Sequence, residues 1–545
     1  MNCADSMFEH QALRKAQPAD LTPPADLVWP ARLAPVLQWL SQRVDTRAAM
    51  RSDSRMVQPG DLFFALPGLQ SAAQRYVSDA LERGAGAVLL ADDAAHSHRS
   101  VFAWSGLANH AGELAAAFAA YPSRKLSVVA VTGTNGKTTV SHWMAQAWSQ
   151  TAAVIGTLGA GLIDSDQPLE SFGLTTPDAV RLQQMLRDFL AQGTSLVAME
   201  ASSIGLHQGR LQGLEPAVAV FTNLSRDHLD YHANMQAYAE AKAQLFAMLT
   251  PGRSQAVVNA DDAWAGTMIG ACPAGCPLWL FSLQEQADEA QALAARHRAH
   301  LLWADYRADD QASQVQWALF APGNPKAIHQ GHKKLALMGR FNAANALAVA
   351  CSLMALGQSP SEAMQALDRL KAVPGRMQCL GQSQTPLVVV DYAHTPDAIE
   401  QVLVALRPVA QQRQGRLHCV LGAGGDRDPG KREAMGAAAM GIADSLCLTS
   451  DNPRYEDPEA ICEALKKGAN GVAGLARDSK RLFVELDRGL AIDRVIQQAG
   501  PRDVILIAGK GHERFQEIQG QRISFDDESR AREALQLHWS LQVQA

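Results

Sequence analysis

The chain has 545 residues, 47% of them hydrophobic and 19% charged, with a formal net charge of −6. Such a length points to roughly three or four domains, and such a composition to globular units with sizeable cores. An acidic balance with no Lys/Arg cluster excludes general nucleic-acid binding. No apolar run reaches the length of about 18 residues that a membrane span needs, and eight scattered cysteines make no disulfide framework and suit a reducing cytoplasm.

In chain order, the first forty residues carry Asp5, Glu9, Asp20 and Asp26 among several prolines. They read as a partly ordered N-terminal extension, 1–40, and not as a signal or transit peptide. Residues 41–122 read as a small α/β unit, with strands expected at 62–66 and 87–90 and a helix between them through Ala80 and Leu81. Tyr121-Pro122-Ser123-Arg124 reads as the hinge out of it.

A central domain, 123–373, begins at Val128-Val129-Ala130-Val131-Thr132-Gly133-Thr134-Asn135-Gly136-Lys137-Thr138-Thr139. Four apolar, mostly β-branched residues predict a buried parallel strand. Val140, Trp143, Met144, Ala147 and Trp148 then fall on one helical face. A glycine loop between strand and helix is an anion cradle, because unpaired N–H groups and the positive helix end point at a phosphate. Lys137 would reach the outer phosphates, and the Thr138 hydroxyl would hold Mg²⁺. The usual phosphate loop needs a glycine where this chain has Val131; its upstream glycine is Gly133, so the loop is a shorter variant.

Further strands are expected at 196–199, 218–221 and 256–258, giving a doubly wound parallel sheet. Each strand runs into a polar cluster: Glu200-Ala201-Ser202-Ser203, Thr222-Asn223 and Asn259-Ala260-Asp261-Asp262. Glu200, a strand-end acid near triphosphate, reads as a magnesium ligand. His228 beside Asp227 reads either as a structural pair or as a site histidine, and Lys242 by itself as a solvated helix charge. Cys272 and Cys276 have no second pair to complete a zinc site. Around 283–325 only a helix and a hairpin are legible.

A C-terminal domain, 374–545, has strands expected at 387–390, 417–421, 446–448 and 504–507. Thr395-Pro396 is a helix start, with Ile399, Val402, Leu403 and Leu406 as its buried face. Asp391 and His394 follow a strand and suit nucleotide contact. Gly422-Ala423-Gly424-Gly425-Asp426-Arg427 is not a dinucleotide fingerprint, since Arg427 stands at the third glycine position. Arg454, after Asp451-Asn452-Pro453, offers a planar fork fitted to a carboxylate.

The short loop resembles that of the Mur ligases and folylpolyglutamate synthetases. Asp53-Ser54-Arg55, Thr175-Thr176, Glu200, the stretch 223–230, Lys242, Gly339-Arg340-Phe341-Asn342, Gly375-Arg376-Met377, the stretch 391–396, Asp451-Asn452-Pro453-Arg454 and Gly509-Lys510-Gly511-His512-Glu513 occur in the order found in diaminopimelate-adding Mur ligases. That resemblance implies a three-domain α/β protein with a central doubly wound parallel-sheet ATPase and a Rossmann-like C-terminal domain. It implies a cytoplasmic, monomeric, ATP- and Mg²⁺-dependent ligase of peptidoglycan precursor synthesis. The substrates implied are UDP-N-acetylmuramoyl-L-alanyl-D-glutamate and meso-diaminopimelate.

By resemblance, Gly133, Thr134, Asn135, Gly136, Lys137, Thr138, Thr139, Asn342, Arg376, Asp391 and His394 bind ATP. Lys242 is carbamylated by carbon dioxide and holds a Mg²⁺ with His228, while Thr138 and Glu200 serve another. Ser54, Thr175, Thr176, Ser202, Gln208 and Arg210 match the UDP-substrate contacts. Arg427, Asp451, Asn452, Pro453, Arg454, Gly509 and Glu513 match the diaminopimelate pocket. The chain departs from the family at Leu69-Gln70-Ser71, Leu174 and Ile204, the first two of which bear on UDP-substrate contacts. A lysine-adding ligase, a folylpolyglutamate synthetase and a non-catalytic ATP-binding scaffold are the alternative readings.

Overall fold

The computed structural model describes residues 29–67, 74–92, 96–163, 165, 167–308, 313–382, 384–472 and 481–539. The chain forms two compact units, the first made of residues up to Leu126 with Pro177–Ser195 and Gln208–Glu215. Its strands Met50–Arg51, Leu62–Ala65, Ala87–Leu90 and Val101–Ala103 pair in that order, all parallel. Successive side chains of a strand go to opposite faces. Leu62 and Phe64 accordingly pack with helices Ala34–Ser41 and Leu107–Phe118, while Phe63 and Val88 pack with helix Gln74–Glu82.

Two boundaries differ from expectation. Leu33, Val36, Leu37 and Leu40 lie in this core, so residues 33–40 are not part of an extension. Their spacing is one helical stripe, disguised in the sequence by Pro30 and Pro35. Helix Ala179–Ala191 also belongs here, although it falls between strands of the central sheet in sequence. Asp178 starts it by accepting from the N–H groups of Val180 and Arg181, and Arg187 donates to the carbonyls of Thr46 and Ala48 at 3.1 and 2.8 Å. Leu69, Gln70 and Ser71 lie outside the described residues.

The second unit holds a ten-stranded sheet. Pairing is parallel from His300–Ala308 through Leu278–Ser282, Gln255–Asn259, Val218–Phe221, Ser127–Thr132 and Leu196–Glu200 to Ala152–Gly156. Antiparallel strands finish it: Ser313–Phe320 and Ala327–Leu335 at one end, Gly159–Leu162 at the other. The parallel expectation therefore holds for the interior of the sheet and not for its edges. From Ser127–Thr132 the chain winds first to one side and later to the other, so this strand is the switch point at which such sheets bind ligands. Helix Arg340–Ala355 packs in the core with helix Lys137–Ala147.

A six-stranded sheet completes this unit, in the order Gln378–Leu380, Leu387–Asp391, Val504–Ala508, Leu417–Leu421, Ser445–Leu448, Leu482–Val484. It is parallel except for its first strand. Helix Pro396–Gln412 starts where Thr395 accepts from the Ala398 N–H, with Pro396 at its first position. Helices Arg432–Ile442 and Pro458–Asn470 meet through glycines: a Cβ on Gly436 would run into the Leu465 carbonyl, and one on Gly468 into that of Glu433.

Candidate active site

The strand Ser127–Thr132 ends at a loop only glycine can make. Gly133 has φ +151°, and a Cβ there would collide with Thr222 Oγ1; Gly136, with φ +86°, opens the helix Lys137–Ala147 without a side-chain cap. The first N–H groups of that helix are left for an anion. Neighbouring strand ends hold the loop in shape. Thr134 N–H donates to the Asn223 carbonyl (2.8 Å), Asn135 N–H to Asn223 Oδ1 (3.0 Å), and Thr222 Oγ1 to the Asn135 carbonyl (2.6 Å).

Two amines meet at one carbonyl. Lys137 Nζ donates to the carbonyls of Gly133 and Thr134, both at 2.9 Å, and Lys242 Nζ donates to Gly133 at 2.8 Å. Burial pushes the Lys137 pKa down, and burial plus the charge of Lys137 pushes Lys242 well below its ordinary value. Lys242 is 1% exposed, so the solvated charge expected of an isolated helix lysine is not what the fold makes of it. Its amine lies 4.4 Å from the centre of the buried Tyr238 ring, whose hydroxyl is 3.2 Å from Thr134 Oγ1. Tyr238 gave no signal in the sequence, because an aromatic on a helix reads as core.

Glu200, 1% exposed, sits at the end of the neighbouring strand. Its oxygens accept from Thr157 N–H (2.8 Å) and Thr157 Oγ1 (3.1 Å), and a Cβ on Gly156 would strike it. Thr175 accepts from Thr157 Oγ1 at 3.2 Å, and Thr176 Oγ1 bonds the Glu200 carbonyl (2.9 Å) and Ser202 Oγ (3.0 Å). Of the six residues expected at the UDP-substrate, Thr175, Thr176 and Ser202 thus cluster beside Glu200. Ser54, Gln208 and Arg210 belong to the first unit, where Gln208 Oε1 accepts from the Arg210 guanidinium at 2.6 Å. Leu174 is exposed and Ile204 half-buried.

The C-terminal sheet brings more groups to the loop. Arg376 Nη2 donates to Thr138 Oγ1 at 3.0 Å, its plane lies over Tyr392, and its Nε is buried without a partner. His394 Nε2 and Lys431 Nζ reach Asp227, at 3.5 Å from Oδ2 and 3.0 Å from Oδ1. Burial would raise the Asp227 pKa, but the hydrogen bond and charge of His394, with His228 and Lys431, hold it well below the carboxylate range. His228 has φ +53°, and burial, with Lys137 and Lys242 adding, pushes it down to about 3 despite Asp227. It is a neutral imidazole. The Asp391 oxygens accept from the N–H groups of Met377 (2.7 Å) and Ala393 (2.8 Å), so it holds the turn. Asn342 donates to the Met338 carbonyl at 2.9 Å. A cavity of about 800 Å³ opens beside the loop, lined by Thr139, Trp143, Asn342, Arg376, Val373 and Leu387 among others.

In the same sheet, Lys510 is fully buried and donates to Asp451 (3.3 Å), Asn452 (3.0 Å) and Glu513 (3.2 Å). Asn452 in turn donates to Glu513 at 2.7 Å, and Gly509 at φ +115° lies against Asp451. Three residues expected in one pocket are therefore joined by Lys510, which stands in the string 509–513 without a role assigned from the sequence. Arg454 differs: it donates to the Gly425 carbonyl (2.6 Å) and pairs with Glu517 (3.3 Å), so its fork is not waiting unpaired. The Pro453 carbonyl packs on Gly425, and Arg427 is exposed, with Asp230 at 3.9 Å.

Among the described residues no three His, Cys, Asp or Glu side chains converge as a metal cage. That fits Mg²⁺, which is held by one or two protein groups with phosphate and water supplying the rest. A neutral imidazole at His228, the Glu200 carboxylate and the Thr138 hydroxyl are donors of the right chemistry. No helix among the described residues is long and apolar enough to cross a membrane.

Loop, switch strand and second sheet define an α/β protein of the phosphate-loop class, built to bring groups from two sheets to one anion. Residues 131–353 match the Mur ligase middle domain and residues 375–511 the glutamate ligase domain of Mur ligases. The UDP-N-acetylmuramoyl-L-alanyl-D-glutamate–2,6-diaminopimelate ligase of Janthinobacterium sp. (strain Marseille) is 42% identical over 92% of this chain and 97% of its own length. That of Chromobacterium violaceum is 43% identical over 89% and 94%. A solved structure of a ligase of the same name superposes with a TM-score of 0.59 at 36% identity, over 90% of this chain and 94% of its own. The MurF ligase of Thermotoga maritima, solved with ADP, shares the fold at 17% identity and a TM-score of 0.61, over 92% of this chain and 99% of its own. The chain belongs to the Mur ligase family.

Proposed function

We propose that the protein is the ligase that joins meso-diaminopimelate to the D-glutamate side-chain carboxylate of UDP-N-acetylmuramoyl-L-alanyl-D-glutamate at the expense of ATP, through an acyl phosphate. The observation that carries this reading is likeness to the diaminopimelate ligases over 92% of this chain, a span that takes in both the phosphate loop and the turn 451–454.

The N–H groups of the loop 133–139 would orient the triphosphate, with the nucleoside end in the cavity beside Thr139, Asn342 and Arg376. Lys137 and Arg376 would offset charge that builds up as the γ-phosphoryl group moves to the acceptor carboxylate. Mg²⁺, held by Thr138, Glu200, His228 and Lys242, would neutralise further phosphate charge. Lys242 can join such a set because its burial favours the uncharged amine, the form that adds carbon dioxide to give an anionic carbamate. Ser54, Thr175, Thr176, Ser202, Gln208 and Arg210 would serve the UDP-substrate. Asp451, Asn452, Gly509 and Glu513 would take the ammonium end of diaminopimelate, and Arg427 and Arg454 its carboxylate. Holding amine and acyl group together can lower the barrier by about 7–11 kcal/mol. The reading carries with it a cytoplasmic monomer.

Lysine lacks the far carboxylate and would forgo the contacts that Arg427 and Arg454 would make to it, Arg454 exchanging its bonds to Gly425 and Glu517 for them. Assays of ADP release with diaminopimelate and with lysine, each with and without the UDP-substrate, test the proposal. Turnover is expected only with diaminopimelate and the UDP-substrate together. Equal turnover of lysine would overturn the specificity, and ADP release indifferent to both acceptors would overturn the ligase.

A further inference from the structure

The segment 426–432, which leads from the strand Leu417–Leu421 into the helix Arg432–Ile442, touches the nucleotide-side loop 226–230 at three residues. Arg427 approaches Asp230 (3.9 Å), Asp428 pairs with Arg226 (3.3 Å), and Lys431 pairs with Asp227 (3.0 Å). Only the last of these is enclosed on both sides: the Lys431 and Asp227 side chains are 9% and 7% exposed, whereas those of Arg226 and Arg427 are more than half exposed. Arg432 meanwhile ties the segment to the turn 451–457 through a two-pronged bond to Glu456, both contacts at 2.8 Å. One stretch of seven residues thus carries Arg427, assigned above to the amino-acid carboxylate under the proposed function, and Lys431 on the aspartate next to His228.

Taking the proposed reaction as its basis, we infer that Lys431 is a positioning residue, which acts through Asp227 to hold His228 in register with the phosphate loop. It thereby couples occupancy of the amino-acid pocket to the phosphoryl-transfer centre. The backbone geometry gives this coupling something to hold. His228 stands at φ +53°, a conformation that a non-glycine residue keeps only where its surroundings impose it. The imposing contacts on its neighbour Asp227 come from the other sheet, from Lys431 and from His394 (3.5 Å). An ammonium enclosed with its carboxylate resists screening, so the link persists at working salt. An exposed pair such as Lys466–Glu463 would contribute little.

The test compares Lys431→Gln, Lys431→Arg, Asp227→Asn and the Gln/Asn double variant in the full-length protein, with Lys466→Gln as a charge control. The expected result for Lys431→Gln is a fall in kcat of about ten- to thirtyfold with each KM within about threefold of the parent. Lys431→Arg should recover most of the loss, and the double variant should be no worse than the poorer single one, because both remove one link. Lys466→Gln should behave as the parent. Parental kcat in Lys431→Gln would overturn the inference. So would losses that multiply in the double variant, or a loss that tracks a lowered melting temperature and is not recovered by arginine. Failure of the proposed reaction itself would show earlier, as acceptor-independent turnover by the unaltered protein.

Discussion

His142 lies on the helix that leaves the phosphate loop, 4% exposed, and burial with the nearby charge of Arg376 pushes its pKa from 6.5 to about 4. In the unfolded chain the imidazole takes a proton near 6.5, and in the folded chain only near 4. Below pH 6.5 the unfolded state therefore binds more protons, so stability is complete above 6.5 and declines as pH falls toward 4. Denaturant midpoints at pH 7, 6 and 5 should show the decline, and His142→Gln should make it shallower by about 1.4 kcal/mol per pH unit. An unchanged slope in the variant would contradict a buried neutral histidine. At this scale the sequence points to residues, and the fold shows which neighbours they bond. Asp391 and Arg454 already make bonds within the fold, Tyr238 and Thr157 bond the expected residues while carrying no pattern of their own, and Lys510 and Asp227 stand inside the motif strings without a role of their own.

At the scale of elements, helices Arg432–Ile442 and Pro458–Asn470 approach so closely that backbone meets backbone at Gly436 and Gly468. Gly436→Ala would gain helix propensity, worth up to about 1 kcal/mol for an exposed site. It would also force the pair apart, and overpacking of this kind costs roughly 1–3 kcal/mol or more. The contact is with a carbonyl that cannot rotate away, so the packing effect wins. Urea unfolding should give a net loss of about 1–2 kcal/mol, and a variant as stable as the parent would show that the helices can move apart freely. Elements with a period were legible: continuous apolar runs gave the parallel strands, and Thr395-Pro396 gave a helix start. Helix Arg340–Ala355 was not, because it is buried on nearly every side and so shows no polar face. Helix Ala34–Ser41 was passed over because prolines surround its stripe.

For the whole molecule, the donors proposed for Mg²⁺ come from separate elements, and among the described residues no cluster of three or more His, Cys, Asp or Glu forms a cage. A metal held this way belongs to the nucleotide and not to the core, unlike a structural zinc, whose binding is itself folding energy. Chelation with EDTA should therefore stop ADP release completely while lowering the melting temperature by no more than about 2 °C. A large fall on chelation would mean that the metal holds the fold together. The two large sheets of the second unit are linked by ordinary polar contacts, among them Arg376 on Thr138, Lys431 on Asp227 and Asn135 on Asp397.

Local order alone determined the phosphate loop, since strand, glycine turn and helix N-terminus are contiguous and their geometry follows from backbone sterics and unpaired N–H groups. It determined the run of strands in the same way, through burial on both faces. What a charged side chain does there was decided only by the tertiary structure. Lys242 reads as a solvated ammonium until folding removes its water and sets it on the carbonyl of Gly133, and Asp227 acquires its partners His394 and Lys431 from residues about 170 and 200 positions further on. Desolvation and pairing depend on which surfaces meet, and no period within one segment encodes that.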